Sequence, residues 1–139
     1  MNEQSNVALV KQLYDAFAKG DIKTILDHVT EDVKWSSPGP ASIPYAGERT
    51  GPAQVREFFE RLVGTQENVN LSPDQFVAQG DAVAVLGRYT GNVKGSGAPF
   101  DSPIAHFFTI RGDKVSQWVG MSDTAHAAAA YTAVAAASA

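Results

Sequence analysis

Apolar residues in the first third of the chain recur with a helical period. Val10, Leu13, Tyr14 and Phe17 fall at i, i+3, i+4 and i+7, so they share one stripe of one helix. Ser5 stands where an N-cap belongs, and Gly20 follows where a left-handed residue ends a helix. Asp21 then caps a second, short helix whose stripe is Ile22, Ile25, Leu26 and Val29. A short strand is predicted over Val33 to Ser36, followed by a loop rich in proline and glycine that reaches Gly51. A structureless stretch of about fifteen residues is uncommon inside a domain and more often carries function than not. Pro52 opens a third helix, with Val55, Phe58, Phe59, Leu62 and Val63 on its apolar face.

From about Glu67 the period changes from 3.6 to 2. Residues 67–79, 81–94, 99–111 and 114–122 read as strands, separated by the turn signals Gln79-Gly80-Asp81, Lys94-Gly95-Ser96-Gly97 and Arg111-Gly112-Asp113. Helices first and strands afterwards predict an α+β domain over residues 1–124. Its sheet should be antiparallel and curved into a cone, with the three helices laid on the concave face. Residues 125–139 form an alanine-rich tail, either a terminal helix docked through Tyr131 and Val134 or a frayed helical end.

Composition narrows the chemistry. Eleven basic against fifteen acidic residues give a net charge of −4, which argues against nucleic acid as a partner. The absence of cysteine removes disulfides, thiolate metal sites and thiol nucleophiles. No apolar run reaches the roughly 18–20 residues of a membrane span, and the first residues lack the basic and apolar regions of a secretory signal. The expectation is a cytoplasmic domain without membrane contact. His28, His106 and His126 lack the spacing of a metal site, and no phosphate loop or nucleophile elbow is present, so neither metal nor cofactor is expected.

A cone of this kind encloses an apolar pocket with a few convergent polar groups. Ile104, His106, Phe108 and Ile110 alternate onto one strand face. His106 is therefore either a satisfied core residue or a titratable group presented to the pocket. Asp123 ends the last strand, where it can serve as a base or an imidazole partner, or simply cap the tail helix. Trp35, Tyr45, Phe58, Leu62 and Trp118 are candidate walls, and Ser37 a candidate hydrogen-bond donor. Arg88 either pairs with a buried acid such as Asp123 or sits on the outer face. Strict alternation sets Trp118 and Asp123 on opposite faces unless a bulge or the strand end intervenes.

The motifs YDAFAKGD (14–21), EDVKW (31–35), PYAGERTGPAQVREFF (44–59), AHFFTIRGDKVSQW (105–118) and MSD (121–123) together resemble the NTF2-like superfamily, a cystatin-like roll. The chain is most similar to its SnoaL-like and ketosteroid-isomerase-related members. That resemblance implies a homodimer formed through the outer face of the sheet. It also implies a cofactor-independent enzyme that moves a proton on a small apolar molecule, or a non-catalytic binder using the same pocket. A protein-interaction module is the third class. Against ketosteroid isomerases, the base aspartate falls near Ser37, the oxyanion aspartate matches His106, or Ala105 if the register slips by one, and the helix-one tyrosine aligns with Leu13, one position from Tyr14. A steroid isomerase is therefore not expected. His106 with Asp123 resembles the SnoaL-type histidine–aspartate pair. Arg88 with Asp123 matches part of the epoxide-hydrolase set, but Thr90 stands where a second acid belongs, and Trp35 and Ser37 replace its tyrosine and asparagine.

Overall fold

The change of period divides the molecule into a helical layer and a sheet. The computed structural model describes residues 2–138, with side chains through residue 133, so Val134 lies outside the described side chains. The chain runs α1 (Glu3–Ala18), α2 (Ile22–Asp27), β1 (Val29–Ser37), β2 (Gly47–Thr50), α3 (Pro52–Thr65), β3 (Gln66–Gln79), β4 (Ala82–Val93), β5 (Pro99–Arg111), β6 (Lys114–Ser122) and α4 (Thr124–Ser138). None of the described helices is long and apolar enough to cross a membrane.

Local chemistry sets most of these boundaries. Asn2, rather than Ser5, caps α1: its side chain accepts the Ser5 N–H at 2.7 Å, so the helix starts one turn earlier than predicted. Gly20 takes φ +72°, the left-handed conformation that releases the chain into the Asp21 cap of α2. The second helix stops at Asp27, with His28 as its C-cap, and Val29 belongs to the following strand instead of the helical stripe.

The strand predicted over Val33 to Ser36 is the end of β1, and the four predicted after it form the consecutive antiparallel ladder β3-β4-β5-β6. The sheet continues beyond it in the order β2-β1-β6-β5-β4-β3. β1 runs parallel to β6, placing Trp35 beside Trp118, so the sheet is not wholly antiparallel as expected. Part of the proline-rich stretch is also ordered: β2 pairs with β1, Arg49 opposite Trp35. Four residues are too few to carry a period-2 signal.

Register shifts in β3, at the β5–β6 pairing and in β1 bend the sheet. At Gly87 the neighbouring strand comes so close that a Cβ would lie 2.3 Å from the Ser72 carbonyl oxygen. Helices α1 and α3 pack on the inner face through a core that includes Val10, Leu13, Val55, Phe59, Val85 and Val115. A smaller cluster joins Ile43 of the loop, Val93, Phe100, Ala130 and Tyr131, seating α4 on one end of the sheet.

Candidate functional site

Alternation along β5 turns Ile104, His106, Phe108 and Ile110 inward, as their spacing predicted, and leaves Phe107 half exposed outside. Across the ladder, β6 sets Trp118 opposite Phe108 and Gly120 opposite His106. The Trp118 indole leans over Gly120, where a Cβ would meet its ring at 2.3 Å. Only glycine leaves room for that ring. On the far side Trp35 stacks on Trp118, with centroids 4.5 Å apart and planes 23° from parallel.

Helix α1 contributes Leu13, Tyr14 and Phe17, and α3 contributes Phe58, Phe59 and Leu62. Together with the sheet they enclose an empty volume of about 770 Å³, counted out through its open mouth. None of the described residues lining it is Asp, Glu, Lys or Arg. Such a lining favours uncharged, apolar ligands.

The polar focus of this cavity is one short contact. Tyr14 Oη lies 2.6 Å from His106 Nδ1, and the two rings are nearly parallel. Burial beside Trp118 and Phe108 pushes the imidazole down to about 4, because an apolar wall disfavours the charged ring. The same cause pushes the Tyr14 hydroxyl well above its ordinary range. Both groups are therefore neutral at pH 7. The pair can share a hydrogen bond in either direction, depending on which ring nitrogen carries the proton.

Trp35, Ser37, Tyr45, Phe58, Leu62 and Trp118 all line the cavity with His106. Asp123 does not join them. β6 ends at Ser122, and the exposed Asp123 carboxylate accepts the His126 N–H at 3.0 Å as the cap of α4. Its backbone N–H donates to Ser102 Oγ at 2.8 Å, which holds the residue outside the cavity. Arg88 is likewise not a cavity residue: it pairs with Asp101 at 3.0 Å, with both side chains more than half exposed. Neighbouring Tyr89 turns inward in its place. Thr90 is not among the lining residues either.

Two features escape a linear reading. Tyr14 is 92 residues from His106, and the sequence signal for it was only a hydroxyl inside an apolar stripe, where a buried tyrosine needs a partner. The second is a polar cluster at the other end of the cavity, where Tyr89 donates to Gln66 and Gln66 reaches Tyr131 of α4. Burial and the nearness of Tyr131 push the Tyr45 hydroxyl there up to about 12.

No curated protein matches the chain. Among solved structures, an NTF2-like protein from Burkholderia xenovorans LB400 is 33% identical, over 94% of this chain and 98% of that one, with a TM-score of 0.85. TerC, co-crystallized with polyporic acid, is 25% identical over 92% of this chain and 98% of its own, with a TM-score of 0.83. A protein assigned as a SnoaL-like polyketide cyclase, from Jannaschia sp. CCS1, shares the fold at 21% identity, 94% and 93% coverage and a TM-score of 0.82. The SnoaL-like domain model matches residues 10–118, and with that match the chain belongs to the SnoaL-like family of NTF2-like folds.

Proposed function

We propose that the protein is a cofactor-independent enzyme that moves a proton on a small, neutral, carbonyl-bearing ring compound held in the cavity. The observation that carries this reading is the 2.6 Å contact between Tyr14 and His106 inside a largely apolar lining. With the proton on Nδ1, His106 donates to the Tyr14 oxygen. Its Nε2 lone pair then serves as base, and the Tyr14 O–H is free to donate. Nε2 takes a proton from the carbon beside the carbonyl, and the C–H electrons move into the C–C–O system. The Tyr14 hydroxyl stabilises the enolate oxygen that results. The imidazolium, disfavoured by its apolar walls, returns the proton to the same or another carbon. That sequence serves an isomerisation.

The test is α-proton exchange of 4-(4-hydroxyphenyl)cyclohexanone with heavy water, followed by NMR. Wild type accelerates exchange, His106→Gln abolishes the acceleration, and Tyr14→Phe lowers it by roughly 10²–10³. Exchange that is indifferent to His106 overturns the reading. A binder is the second reading, favoured by the absence of any carboxylate among the described residues lining the cavity and by an imidazole whose lowered pKa makes it a weak base. It predicts ketone binding without exchange.

We also propose self-association through the outer face of the sheet. The register aligns Val77, Ala84, Phe107 and Val119 in one cross-strand row, and Leu86, Ala105 and Met121 in the next. Val77, Leu86, Phe107 and Met121 are each about half exposed there.

A further inference from the structure

The end of the cavity away from His106 holds a chain of hydroxyl and amide groups. Tyr89 Oη lies 2.5 Å from Gln66 Oε1, and Gln66 Nε2 lies 3.0 Å from Tyr131 Oη. Tyr131 Oη in turn lies 2.8 Å from Thr65 Oγ1, which lies 2.7 Å from the Arg61 carbonyl oxygen. Each contact is short enough to need one hydrogen between its two atoms. The last atom, a carbonyl oxygen, has none to give.

The direction of every bond follows. Thr65 donates to Arg61, Tyr131 to Thr65, the Gln66 amide nitrogen to Tyr131, and Tyr89 to the Gln66 oxygen. Turning the Gln66 amide over would face its oxygen with a Tyr131 oxygen whose proton is already committed. Tyr89 therefore spends its only proton on Gln66 and keeps oxygen lone pairs. Tyr45 is its complement: its ring lies 6.1 Å from that of Tyr131, and none of the described residues accepts the Tyr45 proton. Both tyrosine rings line the cavity. The cavity lining thus offers an acceptor in Tyr89 and a donor in Tyr45.

We propose that Tyr45 and Tyr89 form a hydroxyl-recognition subsite, in which a ligand alcohol or phenol donates to Tyr89 Oη and accepts from Tyr45. This rests on the reading that the ligand's carbonyl meets Tyr14 and His106. A ketone or ether oxygen can only accept and would leave Tyr89 unmet. A carboxylate would meet no Lys or Arg among the described lining residues. Tyr89 lies four residues along β4 from Val85, the cross-strand neighbour of His106, which separates the two ends by about 13 Å along the strand. The ligand is accordingly an elongated neutral ring compound with oxygen at both ends.

Calorimetric titration with three matched ketones tests this: 4-(4-hydroxyphenyl)cyclohexanone, 4-(4-methoxyphenyl)cyclohexanone and 4-phenylcyclohexanone. The wild type binds the phenol roughly three- to tenfold tighter than the other two. Tyr89→Phe erases that preference, read as the ratio of phenol to 4-phenylcyclohexanone affinity within the same variant. Tyr131→Phe, which breaks the chain at Thr65 while keeping the ring, reduces the preference, and Tyr45→Phe does so independently. Equal binding of all three ketones by wild type, or a preference that survives Tyr89→Phe, overturns the subsite alone. No binding of any of the three overturns the carbonyl reading as well.

Discussion

His106 is held neutral by the same aromatic walls that shape the cavity, and that has a cost in acid. Its folded pKa of about 4 lies below the ordinary histidine value of 6.5. Between those two values the unfolded chain takes up a proton that the folded imidazole refuses. Stability contributed by this residue is therefore complete above pH 6.5, falls as the pH drops toward 4, and is flat below. The span is worth about 3 kcal/mol. Urea unfolding of wild type and His106→Gln should diverge in that window, with wild type losing stability relative to the variant. Parallel curves would contradict the burial argument. His106 was legible because alternation along a single strand decides which way it points. Its partner was not, because Tyr14 meets it only through packing of a helix on the sheet, and nothing local to either residue encodes that meeting.

At the scale of elements, α4 shows how one residue can be read as chemistry or as architecture. Asp123 caps the helix through the His126 N–H, so Asp123→Ala should lower stability by about 1 kcal/mol. Asp123→Asn, which caps equally well, should leave both stability and the His106 titration unchanged. A shift of the imidazole signal in Asp123→Asn would bring the acid back into the site. Three helices and every strand but β2 could be read from period and turn residues, since each is an amphipathic segment with clear punctuation. β2 could not be read, because its four residues GERT have one buried member, Arg49, satisfied by the Tyr45 carbonyl at 2.8 Å. The docking of α4 also depended on distant partners: Tyr131 is fixed by Thr65 and Gln66, at the end of α3 and the start of β3.

For the whole molecule, the apolar rows on the outer face predict a dimer in sedimentation velocity at micromolar concentration. Phe107→Glu, which places a charge at the centre of that patch, should yield monomers that keep the cavity intact. A monomeric wild type would refute the assembly. The parallel pairing of β1 with β6 has a different consequence, in time instead of space. Trp35 and Trp118 form one wall, yet more than half of the chain separates them, and neither has its partner until the last strand docks. Closing so long a loop is slow relative to forming helices or hairpins. On the ribosome the cavity therefore cannot exist until translation has passed Trp118 and β6 has left the exit tunnel. A chain cut before Trp118 would therefore lack the wall that the proposed ligand needs.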